Sequence, residues 1–239
     1  MRGMLADLLD LLLPRACPRC GVAVSDTSAF CAPCAAAIPR LDRGGCRLCQ
    51  TPLYTGDPRC GACARGRGPL VQIAAEAPFA GDVARWVHRF KYPAPGLAGL
   101  DARPVAALAA LAADAAQRIA EGTPVLVVPV PMHPHKLRER GFHPAGELAR
   151  AVATALGARL ERRALQQLRA TASQTGLDRG ARRRNVRGAF EARAGLRGVA
   201  CVALVDDVVT TGATLAECAR ALRRAGVRRV VAVCAARTL

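Results

Sequence analysis

The stretch that decides the fold is residues 202–214, Val-Ala-Leu-Val-Asp-Asp-Val-Val-Thr-Thr-Gly-Ala-Thr. Its first four residues are an unbroken apolar run, which is typical of a strand buried on both faces of a parallel sheet. Two acidic residues follow, then a turn rich in threonine, and residues 213–225 have the periodicity of a helix. A buried strand that leads through a polar turn into a helix predicts an α/β fold.

The polar turn has the residue types needed to hold a sugar phosphate. Backbone amides at the start of a helix point towards a bound phosphate, and Gly212 lets the backbone approach it closely. The hydroxyl donors are Thr210, Thr211 and Thr214. The carboxylates of Asp206 and Asp207 can accept hydrogen bonds from vicinal ribose hydroxyls. An ordinary surface turn with an aspartate N-cap is the alternative, and the paired acids disfavour it.

Apolar segments on either side extend the predicted sheet. The predicted strands are residues 71–77, 125–128, 199–205 and 229–235, and the predicted helices are residues 82–92, 104–120, 146–156 and 213–225. Residues 159–197 are polar and are interpreted as the edge of a strand or helix followed by a mobile loop. Alternating strands and helices predict a parallel sheet with right-handed crossovers.

The N-terminal part of the chain repeats a cysteine pattern. Two copies of C-x2-C-x10-C-x2-C comprise Cys17, Cys20, Cys31, Cys34, Cys46, Cys49, Cys60 and Cys63. Each C-x2-C turn can present two thiolates to zinc at about 2.3 Å, and two turns complete a tetrahedral site. A disulfide framework is the alternative, but it requires an oxidising compartment. We predict two structural zinc ions with sequential pairing, while the spacing leaves an interleaved arrangement open.

The composition divides the chain into two predicted domains. Residues 1–69 comprise an amphipathic helix at 1–13, the cysteine repeats and a linker at 65–69, and residues 70–239 form the α/β domain. Asp7 and Asp10 interrupt the apolar N-terminal stretch, which disfavours a secretion signal, so we expect a cytoplasmic protein. No run approaches about 20 apolar residues, so we expect no membrane insertion.

Basic residues dominate and are unevenly distributed. The chain has 35 Lys and Arg against 18 Asp and Glu, a net charge of +17, and residues 159–197 contribute +8 through eleven arginines against three acids. Lys91 and Lys136 are the only lysines. Arginine binds phosphate through a planar fork, so this stretch suits a phosphate-rich ligand or nucleic acid. A compositional bias would explain arginine over lysine but not the clustering.

Residues 205–214 resemble the phosphoribosyl pyrophosphate fingerprint of type I phosphoribosyltransferases, and the chain from Cys17 onward resembles the ComF family of competence-associated proteins. Other matching features are the cysteine repeats, Pro129-Val-Pro131, Arg140-Gly-Phe142, Gln174 and residues 182–190. His143-Pro144 stands where the family usually has Asn-Gln, and Gln167 where an arginine is common. The resemblance implies a type I phosphoribosyltransferase-like parallel sheet with a small N-terminal double zinc-ribbon domain.

The resemblance also implies roles for individual residues. Asp206 and Asp207 would be the catalytic pair that holds the ribose, and the 5′-phosphate would be bound by Thr210, Thr211, Gly212, Ala213 and Thr214. The loop after strand 125–128 would face the pyrophosphate and Mg²⁺, with contacts from Arg138 and Arg140; surface ion pairs with Glu139 and Glu147 are the alternative for these arginines. A flexible loop over the substrate would include Arg169, Gln174, Arg179, Arg182 and Arg183.

Three functions fit these expectations. The first is Mg²⁺-dependent transfer of a 5-phosphoribosyl group to an unknown acceptor, in the context of DNA uptake and competence. The second is a factor that handles single-stranded DNA and uses the phosphoribosyl site for recognition. The third is a scaffold whose zinc ribbons dock a helicase of the DNA-uptake machinery. Fold alone does not decide among them.

Overall fold

The computed structural model describes residues 16–24, 29–41, 45–46, 48–49, 53, 59–64, 69–70, 72–92, 102–119, 123–171 and 179–239. The predicted helix at 1–13, residues 65–68 of the predicted linker, and Gln174 lie outside these ranges.

A five-stranded sheet forms the centre of the described chain, with its strands in the order β1-β7-β6-β2-β3. All four pairings are parallel. The strands are β1 (Gln72–Pro78), β2 (Leu126–Pro129), β3 (Arg159–Leu160), β6 (Cys201–Val209) and β7 (Arg229–Arg237). A separate antiparallel pair is formed by β4 (Leu165–Gln167) and β5 (Phe190–Ala192). The predicted parallel α/β sheet is therefore confirmed.

Helices cover both faces of the sheet. The described helices are α1 (Ala32–Ala37), α2 (Gly61–Ala64), α3 (Gly81–Lys91), α4 (Arg103–Ala116), α5 (Pro134–Arg140), α6 (Pro144–Leu156), α7 (Arg179–Val186) and α8 (Ala213–Arg224). Successive strand residues point to opposite faces, so Ala203 and Val205 pack with α3, α4 and α6. Val202 and Leu204 pack with α8 on the other face.

Three local features differ from the predictions. Residues 134–140 form helix α5 rather than a loop, because Pro134 begins the helix at a position where its missing N–H costs little. Strand β6 continues to Val209, so the acid pair lies inside the strand rather than after it. Residues 159–197 contain three short strands and helix α7 in place of an edge and a loop.

The cysteine-rich segment covers the outer edge of β1. The Leu41 amide donates to the Glu76 carbonyl at 2.8 Å, and the Ile73 amide donates to the Leu48 carbonyl at 2.7 Å. Arg118 donates to the carbonyls of Ala75 and Leu41 at 2.9 and 2.7 Å. An edge strand presents unpaired backbone groups, and these contacts satisfy several of them.

The same segment packs against α3. The rings of Phe30 and Trp86 lie 5.7 Å apart, and Arg19 donates to Asp82 at 2.8 Å. Cys17 and Cys34 are buried in the apolar cluster that contains Trp86. The cysteine-rich segment and one face of the sheet therefore share a core.

Candidate functional site

A cavity of about 620 Å³ opens where β2, β6 and β7 end. This size falls within the roughly 300–1,000 Å³ of small-molecule sites, and α/β sheets place ligands at the carboxyl ends of their strands. Its polar lining comprises Lys91, Tyr92, Lys136, Arg140, His143, Gln167, Thr171, Arg182, Asp206, Asp207, Thr210, Thr214 and Thr238. Among the described lining residues, the acids are Asp206 and Asp207.

The predicted phosphate turn forms one wall of the cavity. Thr210, Gly212, Ala213 and Thr214 line it, whereas Thr211 is not among the lining residues and accepts a hydrogen bond from the Ala213 amide at 3.4 Å. Gly212 precedes α8 with φ 72°, a conformation that favours glycine. The N-terminus of α8 therefore lies at the cavity, and a helix N-terminus favours a bound anion.

The acid pair lies at the end of β6 with its side chains on opposite faces of the sheet. Asp206 continues the α8 face and Asp207 continues the α3 face, where its Oδ2 lies 2.7 Å from the Lys91 Nζ. Asp207 is 5% exposed. Its Oδ1 accepts from the Val208 amide at 2.7 Å, and Asp206 Oδ1 accepts from the Asp207 amide at 3.0 Å.

Burial and proximity perturb the protonation of the pair. Burial, with the neighbouring Asp207 carboxylate adding to it, raises the pKa of Asp206 to about 7. Lys91 opposes this shift. The pKa of Lys91 is itself raised: burial acts to lower it, but the attraction of Asp207 outweighs burial. The cavity therefore holds a buried acid, Asp207, paired with a lysine, and a second acid, Asp206, whose pKa lies near neutral pH.

Lys91 and Lys136 are cavity-lining residues that the site prediction missed. Both line the cavity, and they are the only two lysines in a chain with 35 basic residues. Their rarity is the signal that could have found them. Lysine carries a compact point charge on a flexible stem, unlike the planar fork of arginine. In a chain that otherwise uses arginine, a lysine therefore indicates a position where a point charge is needed.

Helix α5 brings two cations to the cavity. Lys136 and Arg140 are four residues apart, so they lie on the same helix face, and both line the cavity. Arg140 stacks over the Tyr92 ring at 5.4 Å. Arg138 is exposed and is not among the lining residues. The helix turns Arg138 away from the cavity, whereas Lys136 lines it. A contact between Arg138 and a ligand stays a prediction.

The arginines of the predicted flexible loop separate into different environments. Arg182, on α7, lines the cavity, and its Nε is buried without a hydrogen-bond partner among the described residues. Arg183 is exposed. Arg169 donates to the carbonyls of Asn185 and Arg187, both at 2.9 Å, and so secures the end of α7. Arg179 begins this helix. Residues 179–186 are thus a helix, and Arg182 is the member of the predicted set that the structure places at the cavity.

His143 connects two walls of the cavity. Its Nε2 lies 2.9 Å from the Val130 carbonyl, so this nitrogen donates. Burial lowers the pKa of the ring, which favours the neutral form. Gly146 makes room for the ring, since a Cβ there would lie 2.9 Å from the His143 Nδ1. The departure from the family pattern at this position therefore has a structural role at the start of α6.

Two four-cysteine zinc-binding sites lie in the N-terminal segment. The first ribbon contains Cys17, Cys20, Cys31 and Cys34, and the second ribbon contains Cys46, Cys49, Cys60 and Cys63. Within each group the sulfur atoms lie within 4.8 Å of one another. The Cys20–Cys31 and Cys49–Cys60 sulfurs are 3.7 and 3.6 Å apart, close to the roughly 3.8 Å edge of a tetrahedron with 2.3 Å zinc–sulfur bonds. The predicted sequential pairing is confirmed.

The pKa values of the thiols in the first ribbon are perturbed in a way that a bound cation would relieve. Although burial acts to raise it, hydrogen bonds from the backbone amides of Cys20, Cys31 and Arg19 lower the pKa of Cys17 to about 6. Burial and the neighbouring cysteines raise the pKa of Cys34 to about 12. Four clustered thiols resist full ionisation by themselves, and a zinc ion removes that penalty.

Comparison with known proteins places these two modules in described families. A double zinc ribbon domain matches residues 8–64, and a phosphoribosyl transferase domain matches residues 101–238. The fold and the cavity thus define a phosphoribosyltransferase-type α/β protein with a double zinc ribbon. Because the second match spans more than half of the chain, the chain belongs to the phosphoribosyl transferase domain family.

Two curated relatives match most of the chain. The DNA utilization protein YhgH of Salmonella typhimurium is 30% identical over 214 residues, covering 88% of this chain and 91% of that protein. Competence protein F of Haemophilus influenzae is 28% identical over 188 residues, covering 77% and 81%. These relatives and the two family matches confirm the resemblance to the ComF family.

Among solved structures, part of the chain is similar to the glutamine phosphoribosylpyrophosphate amidotransferase from B. subtilis. The TM-score is 0.40 and the identity 22%, and the match covers 61% of this chain but 30% of that one.

Within the described part of the chain, no helix combines the length and the apolar character that a membrane crossing requires.

The zinc sites lead to a prediction about metal content. The purified protein should contain two zinc ions per chain, since each cluster offers four thiolates. Replacing Cys31 and Cys34 together by serine should leave one zinc, and so should replacing Cys60 and Cys63. Elemental analysis by mass spectrometry measures this. Loss of both metals in either variant would contradict independent sites.

The raised pKa of Asp206 leads to a prediction about stability. An unfolded aspartate titrates near about 4, whereas the folded Asp206 has a pKa of about 7. Between these values the folded state binds more protons, so the free energy of unfolding falls as pH rises. Asp206→Asn removes this loss, and its stability advantage over wild type should grow from pH 5 to pH 7 and then level off. Urea denaturation measures it; an equal difference at pH 5 and pH 8 would indicate an ordinary pKa.

Proposed function

We propose that the cavity binds phosphoribosyl pyrophosphate together with Mg²⁺ and transfers its 5-phosphoribosyl group to an acceptor. One observation carries the proposal: an acid pair and a helix N-terminus with three cavity-lining hydroxyl or glycine positions share a cavity whose other walls carry four cations. These cations are Lys91, Lys136, Arg140 and Arg182. A ligand with a diol between two phosphate groups matches this distribution.

Each part of that ligand has a complementary wall. The 5′-phosphate would accept hydrogen bonds from the first amides of α8 and from Thr210 and Thr214, which line the cavity there. The ribose hydroxyls would donate to Asp206 and Asp207. The pyrophosphate would face Arg140 and Arg182. The buried Nε of Arg182 has no protein partner among the described residues, so an anion oxygen would satisfy it.

The donor set fits magnesium delivered with the ligand. Mg²⁺ commonly binds one or two carboxylates together with substrate phosphates and water. Asp207 is paired with Lys91 at 2.7 Å, so Asp206 is the carboxylate with fewer commitments. When bound, the metal would neutralise charge on the pyrophosphate. The chain's own contribution is to hold the sugar and to place cations at the leaving group.

The transfer requires one bond to form and one to break at C1′ of the ribose. The bond from C1′ to the pyrophosphate oxygen breaks, and its electron pair leaves with pyrophosphate. The acceptor's lone pair forms the new bond to C1′, and the acceptor releases a proton. Cations fixed near the departing oxygen stabilise the charge that develops there, and Arg140 and Arg182, which line the cavity, would supply them.

Ligand binding tests this proposal directly. Calorimetry with phosphoribosyl pyrophosphate and Mg²⁺ should give binding that Asp206→Asn with Asp207→Asn weakens by roughly 10²–10⁴-fold, since two hydrogen bonds to charged groups contribute about 1.5–3 kcal/mol each. Arg140→Ala should also weaken binding. Arg138→Ala is the matched control, because Arg138 lies on the same helix but outside the cavity lining. Unchanged affinity in the double variant would refute the site.

The arginines of α7 support a second candidate function, the handling of single-stranded nucleic acid. Arg183 and Arg184 on α7, and Arg187 just after its end, are exposed, whereas Arg182 of the same helix lines the cavity. The names of the relatives refer to DNA utilization and competence. In this function the cavity would recognise a 5′-phosphorylated sugar and α7 would contact the backbone. Docking of a helicase on the ribbons and a cytoplasmic location also stay predictions.

Salt dependence tests the second function. Contacts to phosphates release counterions, so affinity for single-stranded DNA should fall steeply with salt, by a slope of about 0.7 per contacted phosphate. Arg183→Ala with Arg184→Ala should reduce the slope by about 1.4, if each contacts one phosphate. Arg150→Ala on α6, where Arg150 pairs with Glu147, is the control. Fluorescence anisotropy that detects no binding at low salt would exclude this function.

A further inference from the structure

We propose that helix α3 makes the first zinc ribbon a positioning element of the cavity, with Lys91 as the positioning residue that this helix places on Asp207. The effect on ligand affinity rests on the proposed binding of phosphoribosyl pyrophosphate, whereas the effect on the structure of the cavity does not.

The ribbon holds the first two turns of α3. Arg19, between Cys17 and Cys20, donates to Asp82 at 2.8 Å in the first turn of the helix. The hydrogen bond from Arg19, followed by that from Arg85, lowers the pKa of Asp82 and so keeps it ionised. One turn later Trp86, 6% exposed, packs on Phe30 at 5.7 Å. The zinc ligands Cys17 and Cys34 lie in the same apolar cluster.

Helix α3 is continuous from its contact with the ribbon to its last residue at the cavity. Val83, Trp86, Val87 and Phe90 are its buried residues, and their spacing keeps one face of the helix against the core. Eleven residues at 1.5 Å each span about 16 Å. A short, one-sided and buried helix moves as a unit, so a change at Asp82 or Trp86 alters the position of its last residue.

The last residue of α3 is Lys91, which reaches Asp207 at 2.7 Å. Adjacent residues fix this end: the rings of Phe90 and Phe142 lie 5.5 Å apart, and Tyr92 lies under Arg140. The charged groups that face Lys91 are Asp207 and Asp206 on β6 and Arg140 on α5. The thiols of Cys218 and Cys234 also face the acid pair, and burial raises their pKa so that they stay neutral.

The second ribbon is anchored elsewhere. Its Leu48 carbonyl accepts from the Ile73 amide on the edge strand β1, and Cys46 and Cys49 are buried. The two zinc sites therefore use the same chemistry and attach to different elements. This difference makes the second site a matched control for the first.

Coupling of this kind is reciprocal, so zinc at the first site and ligand in the cavity should strengthen each other's binding. We expect the serine variant at Cys31 and Cys34 to bind phosphoribosyl pyrophosphate with Mg²⁺ on the order of tenfold more weakly, within the range typical of coupled sites. The serine variant at Cys60 and Cys63 should bind within about twofold of wild type. Equal losses in both variants would overturn the proposal.

Variants that retain both zinc ions show whether a loss of affinity comes from lost contacts with α3 or from unfolding of the ribbon. Phe30→Ala and Asp82→Asn remove contacts between the ribbon and α3 but no metal ligand, so zinc content should stay at two per chain while ligand affinity falls. Arg40→Ala is their control, because Arg40 pairs with Glu76 and Asp114 rather than with α3. Wild-type affinity in Phe30→Ala and Asp82→Asn would contradict the coupling.

The pH dependence of ligand binding tests the positioning role of Lys91, because a merely structural role would leave it unchanged. Lys91→Met removes the cation beside the acid pair, so the pH at which ligand binding reaches half its maximum should rise. Lys91→Arg keeps the charge and should restore the wild-type midpoint. An unchanged midpoint in Lys91→Met would exclude the positioning role.

Hydrogen exchange separates this inference from the proposed function. Amides of residues 206–212 should exchange faster in Phe30→Ala and in the first-site serine variant than in wild type, with no change in the second-site variant. This comparison needs no ligand. If wild type does not bind phosphoribosyl pyrophosphate, the proposed function fails, and the exchange pattern still decides the coupling; uniform exchange across all variants would overturn it.

Discussion

Two adjacent carboxylates at the end of the central strand are the constraint on which the rest of the site depends. A buried charge without a compensating partner is costly. The residues around Asp206 and Asp207 must therefore supply cations or hydrogen-bond donors. Alternation along β6 sends the two side chains to opposite faces, and on the α3 face Lys91 lies 2.7 Å from Asp207. Asp206 receives a backbone amide and less neutralisation, so its pKa rises to about 7. The two acids of one strand thus have different neighbours, a lysine beside Asp207 and a backbone amide beside Asp206.

The compensation depends on elements distant in the chain. Lys91 ends a helix whose opposite end lies against the first zinc ribbon, and Arg140 and Lys136 come from a helix between β2 and α6. Arg182 comes from α7, whose C-terminal turn is fixed by Arg169 and by the Gly188 amide, which donates to the buried Glu217 of α8. The phosphate turn and the cationic helix α7 are therefore connected through α8. The cavity is assembled by most layers of the fold rather than by one loop.

The sequence predicts those features that depend on local pattern. Apolar runs identify the strands, and repeated C-x2-C spacing identifies the zinc ligands and their sequential pairing. Helix α5 has no buried residue, so no apolar periodicity marks it, and treating it as a loop led to the choice of Arg138. A helix places residues 136 and 140 on one face and 138 on another. The contact between Lys91 and Asp207 joins distant positions, and no local pattern encodes it.

The cysteine-rich segment covers the outer edge of β1, and this links the zinc sites to the tendency of the protein to self-associate. The partners of that strand's backbone, Leu41 and Leu48, belong to the cysteine-rich segment, which has little apolar core apart from its metal sites. Chelation would uncover backbone hydrogen-bonding groups on β1, whose sequence is Gln-Ile-Ala-Ala-Glu-Ala-Pro, and an uncovered edge strand can pair with a copy of itself. Metal depletion would then be expressed as self-association between chains, with the α/β core of each chain still folded.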